Sequence, residues 1–95
     1  MHCLDDGHTY ELKHMEGTGH EFIGFCRKVS GEITVNGTTN EEVLLMLIHR
    51  LTEINKELGC IENEGAILCL RLALGWLEER TINRTYRKVE GTDNP

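Results

Sequence analysis

This chain of 95 residues has few aromatic side chains and no long apolar run. Phe, Trp and Tyr make up 5% of the sequence, and Trp76 is its one tryptophan, so we expect a small core of mainly aliphatic side chains. No stretch reaches the ~18 consecutive apolar residues that mark a membrane-spanning helix. The N-terminus lacks the basic and then apolar pattern of a secretory signal. Together these absences predict a protein of the cytoplasm.

Sequence signatures of catalysis and of metal binding are missing as well. We find no glycine-rich phosphate loop, zinc spacing or catalytic-triad pattern. Without metal-type spacing or a secretion signal, we interpret the cysteines as reduced thiols. They are Cys3, Cys26, Cys60 and Cys69. The regularly spaced histidines are interpreted as dispersed surface residues, because their spacing rotates around a helix and glycines interrupt any strand. They are His2, His8, His14 and His20. We predict no enzyme activity, no cofactor and no metal.

The charge balance limits the kinds of ligand. A net charge of -6 argues against binding of long nucleic acids, which draws on clusters of Lys and Arg. A small anion needs only a few local cations. Arg80, Arg84 and Arg87 follow one helix face, and in a symmetric oligomer they would converge on a phosphate. The alternative is that they complement the negative end of the helix and pair with Glu78 or Glu79.

The clearest pattern is a pair of helices over residues 40–58 and 61–87. Thr39 and Glu42 have the spacing of a capping box at the start of the first helix. Apolar residues then alternate at intervals of three and four, which predicts a coiled-coil-like seam. In the first helix the seam is Leu44, Leu47, Leu51, Ile54 and Leu58. In the second it is Ile67, Leu70, Leu74 and Leu77. The short turn at Gly59 requires the helices to lie antiparallel.

Before this hairpin the helical pattern is shorter. Residues 1–16 form a polar N-terminal segment, and a first helix is predicted over residues 20–28. Thr18 and Glu21 have the spacing of a second capping box. An apolar face follows at positions i, i+3 and i+4. Its members are Phe22, Phe25 and Cys26.

A short β-branched stretch separates the two predicted helical regions. Residues 32–35 alternate and precede Asn36 and Gly37, a pair that favours a tight turn, so the stretch fits either an ordered loop or a two-stranded hairpin. Residues 88–95 form a tail. We therefore predict a mainly α fold, with residues 1–95 as a single helical-hairpin domain.

A second apolar stripe remains on the last helix once its seam is used. This outer stripe consists of Leu68, Leu72 and Trp76. The predicted helix over 20–28 offers few large apolar residues to cover it, so we expect the stripe to mediate self-association. Arg71 either extends to solvent along its aliphatic stem or faces an anion at an interface. An oligomeric adaptor that binds a host protein through the stripe is the alternative function.

Three blocks of the sequence together resemble one family. They are HTYEL at 8–12, NGTTNEEVLLMLIHRL at 36–51, and the segments ALGWL, RT and VEGT within 62–92. The chain resembles the small phage anti-CBASS proteins that act as cyclic-nucleotide sponges, the second anti-CBASS class described. The resemblance covers nearly the whole chain, and the TTNEEVL start is specific in combination with the ending.

The resemblance implies a helical-hairpin protein that assembles as a hexamer and is not an enzyme. Members of the family sequester cyclic dinucleotides such as cyclic GMP-AMP in the cytoplasm of the infected bacterium, so that the immune effector is never activated. A phosphodiesterase that cleaves the cyclic nucleotide is the enzymatic alternative, and it would need a metal or an acid–base pair.

The resemblance also implies which residues bind. An N-terminal tyrosine that stacks on a base corresponds to Tyr10, and a lysine that holds the phosphates corresponds to Lys28, with Arg27 as the alternative. Some members of the family hold cyclic trinucleotides at a separate site, which here corresponds to Ser30 and Arg71.

Overall fold

The computed structural model describes residues 1–86, of which residues 84–86 are described by their backbone alone. The chain forms two compact units, one of residues 1–39 and one that begins at Asn40. Within residues 1–86, no helix is long and apolar enough to cross a membrane.

The first unit consists of β-strands, so the prediction of a mainly α fold is wrong. Its strands are β1 (His2–Asp5), β2 (Thr9–Lys13), β3 (His20–Gly24), β4 (Arg27–Val29) and β5 (Glu32–Val35). The first three form an antiparallel sheet in the order β1-β2-β3, and β4 and β5 form a separate antiparallel pair. With the two helices that follow, the chain has a mixed α/β fold.

The predicted helix over residues 20–28 is wrong because strand pairing outweighs the helical pattern there. β3 pairs with β2 along its whole length. Gly24 would have stood at the centre of the helix, where glycine costs about 1 kcal/mol relative to alanine. Phe22 and Ile23, an aromatic and a β-branched residue, suit a pleated surface instead. Thr18, interpreted as a helix cap, lies in the loop between β2 and β3.

A two-residue turn joins β4 to β5, so of the two alternatives for residues 32–35 the structure shows the hairpin. The turn residues are Ser30, with φ 52°, and Gly31, with φ 82°. Positive φ at both central residues is the geometry of a type I′ turn, whose twist matches that of paired strands. The tight turn predicted at Asn36 and Gly37 is thus found at Ser30 and Gly31.

The second unit is a hairpin of two helices, α1 (Asn40–Glu57) and α2 (Ile61–Tyr86). Their bounds lie close to the predicted 40–58 and 61–87. The predicted seam of α2 is half-buried at all four positions, Ile67, Leu70, Leu74 and Leu77. In α1 the half-buried seam members are Leu44, Leu47 and Leu51. Ile54 and Leu58 are 38% and 77% exposed, so the predicted seam of α1 is wrong at its C-terminal end.

The described part of the chain has no enclosed core. No side chain among residues 1–83 is buried. In the outer stripe of α2, Leu68 is 60% exposed, Leu72 is 59% exposed and Trp76 is 75% exposed. Monomeric proteins seldom expose contiguous apolar surface of this kind to water. Where such a surface is exposed, it usually marks an interaction site.

Candidate functional site

Tyr10, the predicted stacking residue, lies on the middle strand of the three-stranded sheet. It stands opposite Cys3 of β1 and Ile23 of β3 and is half-buried. The ring of Phe25 meets it in a T-shaped contact, with the centroids 5.9 Å apart and an interplanar angle of 80°. Edge-to-face packing favours one orientation of the ring. Tyr10 is therefore a held aromatic surface, which is what stacking on a base requires.

The two cations of β4 differ in what they contact. Arg27 Nη2 donates a hydrogen bond to Asp5 Oδ2 at 2.9 Å, which ties β4 to β1. Lys28 is exposed and stands opposite Ile33 of β5. Among the side chains of residues 1–83, the Lys28 ammonium has no hydrogen-bond or ion-pair partner. This difference favours Lys28 over Arg27 as the cation that can receive a phosphate.

Tyr10 and Lys28 belong to different sheets of the first unit. Backbone hydrogen bonds flank the junction between the sheets, from Phe25 N to His8 O at 2.7 Å and from Cys26 N to Thr38 O at 2.9 Å. Among the described residues, no hydrogen bond or ring contact joins Tyr10 to Lys28. A ligand that used both side chains would have to bridge the two sheets.

Ser30 and Arg71, the residues implied for cyclic trinucleotides, lie in different units. Ser30 occupies the type I′ turn of the first unit. Arg71 is exposed on α2, and it has no ion-pair partner within residues 1–86. A site shared by the two residues stays a prediction.

The basic tip at the end of α2 is described only in part. Arg80 is exposed on α2. The side chain of Arg84, all of Arg87 and the tail 88–95 lie outside the described residues. Convergence of the three arginines on a phosphate stays a prediction.

The sequence reasoning missed a cavity at the loop between β2 and β3. Its volume is about 220 Å³. It is lined by Glu11, Lys13, Gly17, Thr18, Gly19 and His20. The signal that could have found it is the pair of glycines around Thr18, which lies between two strand-like runs and is typical of a hairpin loop.

A second cavity lies in the helical hairpin and has an acidic lining. Its volume is about 410 Å³, and Glu41, Glu78, Thr81 and Ile82 line it. Two carboxylates and no cation make this a poor place for a phosphate, because like charges repel at close range. We do not assign the cavity to a nucleotide.

The titration of Cys3 argues against a nucleophilic role for it. Its Sγ donates a hydrogen bond to Asp6 Oδ1 at 3.2 Å, and this bond to a carboxylate raises the pKa of the Cys3 thiol. A protonated thiol is a poor nucleophile and a poor metal ligand. Within residues 1–86, no three His, Cys, Asp or Glu side chains are grouped as a metal ion would need.

Comparison with known proteins finds a similar phage anti-defence protein. No protein-family profile matches the chain. The chain is similar to Thoeris anti-defense 1 of Bacillus phage SBSphiJ7, with 48% identity over 58 residues. The match covers 60% of this chain and 41% of the relative, so it spans less than half of the relative's length. Similarity to a phage anti-defence protein is therefore confirmed, but the relative found is named for Thoeris and not for CBASS.

Proposed function

We propose that this chain is a phage anti-defence protein that binds a small nucleotide signal of the bacterial host and holds it without cleaving it. The observation that carries the proposal is the 48% identity over 58 residues with Thoeris anti-defense 1. Such a protein would act in the cytoplasm of the infected cell, where the signal is made. It needs aromatic surfaces and a few cations, and it needs no catalytic group.

The proposed ligand is a cyclic dinucleotide such as cyclic GMP-AMP. Two flat bases and two phosphates are matched by stacking surfaces and point charges rather than by a basic coat. Tyr10 offers a ring held by Phe25, and Lys28 offers an ammonium that no described side chain neutralises. A cyclic trinucleotide at Ser30 and Arg71 is the second proposed ligand. Nanomolar binding requires about 12 kcal/mol after the costs of ordering.

Self-association belongs to the proposal, and the expected assembly is a hexamer. The outer stripe of α2 forms a ridge with a spacing of four residues. A row of small residues with the same spacing runs beside it, consisting of Gly65, Cys69 and Ala73. Ridges at this spacing pack into the grooves beside them on a facing helix. A surface that carries both is self-complementary, as a twofold contact requires.

The test is isothermal titration of the full chain with 3′,3′-linked cyclic GMP-AMP and a small panel of cyclic di- and trinucleotides. Heat denaturation and chromatography of the released ligand follow. We expect saturable binding and recovery of intact ligand. Cleaved ligand would favour a phosphodiesterase, and no binding across the panel would refute the proposal.

Matched variants assign the residues. Lys28→Gln should abolish dinucleotide binding, whereas Lys56→Gln, a surface lysine of the helical unit, should leave it unchanged. Tyr10→Leu should weaken binding and Tyr10→Phe should retain it, because phenylalanine keeps the stacking face. Normal binding by both Lys28→Gln and Tyr10→Leu would show that the residues are wrongly assigned.

The adaptor function is the second candidate, and the exposure of Leu68, Leu72 and Trp76 favours it. An adaptor would expose this stripe in the free protein and would have no use for nucleotides. If no cyclic nucleotide changes the thermal stability of the chain, the oligomeric adaptor becomes the better conclusion.

A further inference from the structure

The hairpin of β2 and β3 gathers four chemically distinct side chains on one face. Residues directly opposite each other in an antiparallel pair share a face. Glu11 stands opposite Phe22, and Lys13 stands opposite His20, two positions along. Side chains alternate along a strand, so all four lie on the face away from Tyr10. A carboxylate, an ammonium, an imidazole and an aromatic ring therefore meet beside the loop cavity.

The loop that closes this cavity is fixed from the opposite side. His14 N donates a backbone hydrogen bond to Gly19 O at 2.9 Å, and the His14 ring bonds to Glu21 Oε1 at 3.0 Å. A Cβ at Gly19 would clash with the His14 ring, so a larger residue there would displace that ring. Gly17 has φ 80°, a conformation that glycine adopts without strain. These contacts give the loop a defined shape before any ligand arrives.

The polar groups that line the cavity are not satisfied by the protein. Among the side chains of residues 1–83, the Glu11 carboxylate and the Lys13 ammonium have no hydrogen-bond or ion-pair partner. The backbone amides of residues 17–19 donate no backbone hydrogen bond in the same range. Glu11 is half-buried, and its carboxylate oxygens remain available to accept hydrogen bonds from a ligand. A ligand that both donates and accepts hydrogen bonds would satisfy these groups.

We infer that this cavity binds the ribose phosphate part of a nucleotide, at a site separate from Tyr10 and Lys28. Lys13 and His20 face each other and hold the phosphate, as a charge-assisted contact. Glu11 accepts hydrogen bonds from the ribose hydroxyls, a role that carboxylates play in nucleotide sites. A bare anion would be repelled by Glu11, and a neutral sugar would leave Lys13 without a partner.

The size of the cavity supports this ligand. Its volume of about 220 Å³ lies below the ~300–1,000 Å³ of sites that enclose a whole drug-sized ligand. It has room for a sugar phosphate and not for a complete dinucleotide. The base would extend along β3 onto Phe22, which is 61% exposed and whose ring centroid lies 4.7 Å from that of His20. The site is complete within one chain, so it does not depend on the proposed function.

The test compares ribose 5-phosphate with inorganic phosphate and with ribose by isothermal titration of the full chain. Amide spectra of the ¹⁵N-labelled protein locate the binding. We expect ribose 5-phosphate to bind at least about tenfold more tightly than either fragment and to shift the amides of residues 17–19. Equal affinity for phosphate and ribose 5-phosphate, or shifts centred elsewhere, would overturn the inference.

Variants distinguish the contacts made by the sugar from those made by the phosphate. Glu11→Gln should weaken ribose 5-phosphate about tenfold, because the sugar loses its acceptor, and should strengthen the binding of inorganic phosphate, because the repulsion by the carboxylate is removed. Lys13→Gln should weaken both ligands. Met15→Ala is the matched control, since Met15 is fully exposed on the same loop and does not line the cavity. A Glu11→Gln variant that binds ribose 5-phosphate normally would refute the assignment.

Two further measurements distinguish this site from the proposed one. Adenosine 5′-monophosphate should bind more tightly than ribose 5-phosphate, and Phe22→Ala should remove the difference. A difference that persists would refute the position of the base. Lys28→Gln should leave ribose 5-phosphate binding intact, and its loss would mean that there is one site and not two. Loss of cyclic dinucleotide binding alone would count only against the proposed function.

Discussion

Trp76 on α2 allows the most direct test of self-association. Its side chain is 75% exposed, so most of an indole surface of about 200 Å² is left to be covered by a partner. Covering about 150 Å² of apolar surface contributes about 4 kcal/mol at ~25 cal/mol per Å². A twofold contact contains this residue twice, which gives about 8 kcal/mol per contact.

Trp76→Glu removes this contribution and places a charge in the interface. A loss of about 8 kcal/mol converts a nanomolar contact into a millimolar one, so the variant should be monomeric at micromolar concentration. Trp76→Phe keeps most of the apolar surface and should stay associated. Met15→Glu adds the same charge at a fully exposed position of the first unit and should also stay associated.

Sedimentation velocity gives the mass of each variant, and circular dichroism at the same concentration shows whether the helices persist. A Trp76→Glu protein with the mass of the wild type would refute the role of this face. A wild-type protein that sediments as a monomer would refute self-association itself.

The remaining predictions concern the first unit. Ser30→Gly should raise the free energy of unfolding by about 1 kcal/mol, and with it the melting temperature, because a left-handed conformation costs serine about that much. Gly31→Ala should lower both quantities. Thermal denaturation that ranks these variants in the reverse order would contradict the turn geometry. Asp5→Asn should cost less than about 1 kcal/mol, as exposed ion pairs do, and a larger loss in urea titrations would show that the pair is worth more than its exposure implies. Cys3 should react with iodoacetamide at pH 8 more slowly than the exposed Cys60, because its raised pKa leaves less thiolate; equal rates by mass spectrometry would contradict this.

The helical hairpin could be predicted because its pattern is long and its ends are marked. The periodic apolar positions of α1 and α2 span several turns, and a capping box opens α1. The seam of α2 is half-buried at every predicted position. The predicted seam of α1 is wrong at Ile54 and Leu58, because the apolar spacing continues to the end of the helix, where the structure leaves both side chains exposed.

The β unit could not be predicted from local patterns alone. Phe22, Phe25 and Cys26 have helical spacing, yet the strand is decided by its pairing with β2, a contact between residues distant in sequence. The loop cavity could not be predicted for the same reason, since only the pairing register of β2 and β3 shows that Lys13 and His20 face each other. Tyr10 and Lys28 were named from a resemblance, and their proposed roles stay predictions.

The absence of any buried side chain among residues 1–83 has a thermodynamic consequence. A chain whose apolar surface is covered only by its own copies folds and assembles in one coupled equilibrium. The free energy of unfolding then depends on the concentration of the protein, as it does for obligate oligomers. The melting temperature should therefore rise with each increase in protein concentration. In a cell, the first few copies synthesised would be the least stable, and the protein would become durable only as it accumulates.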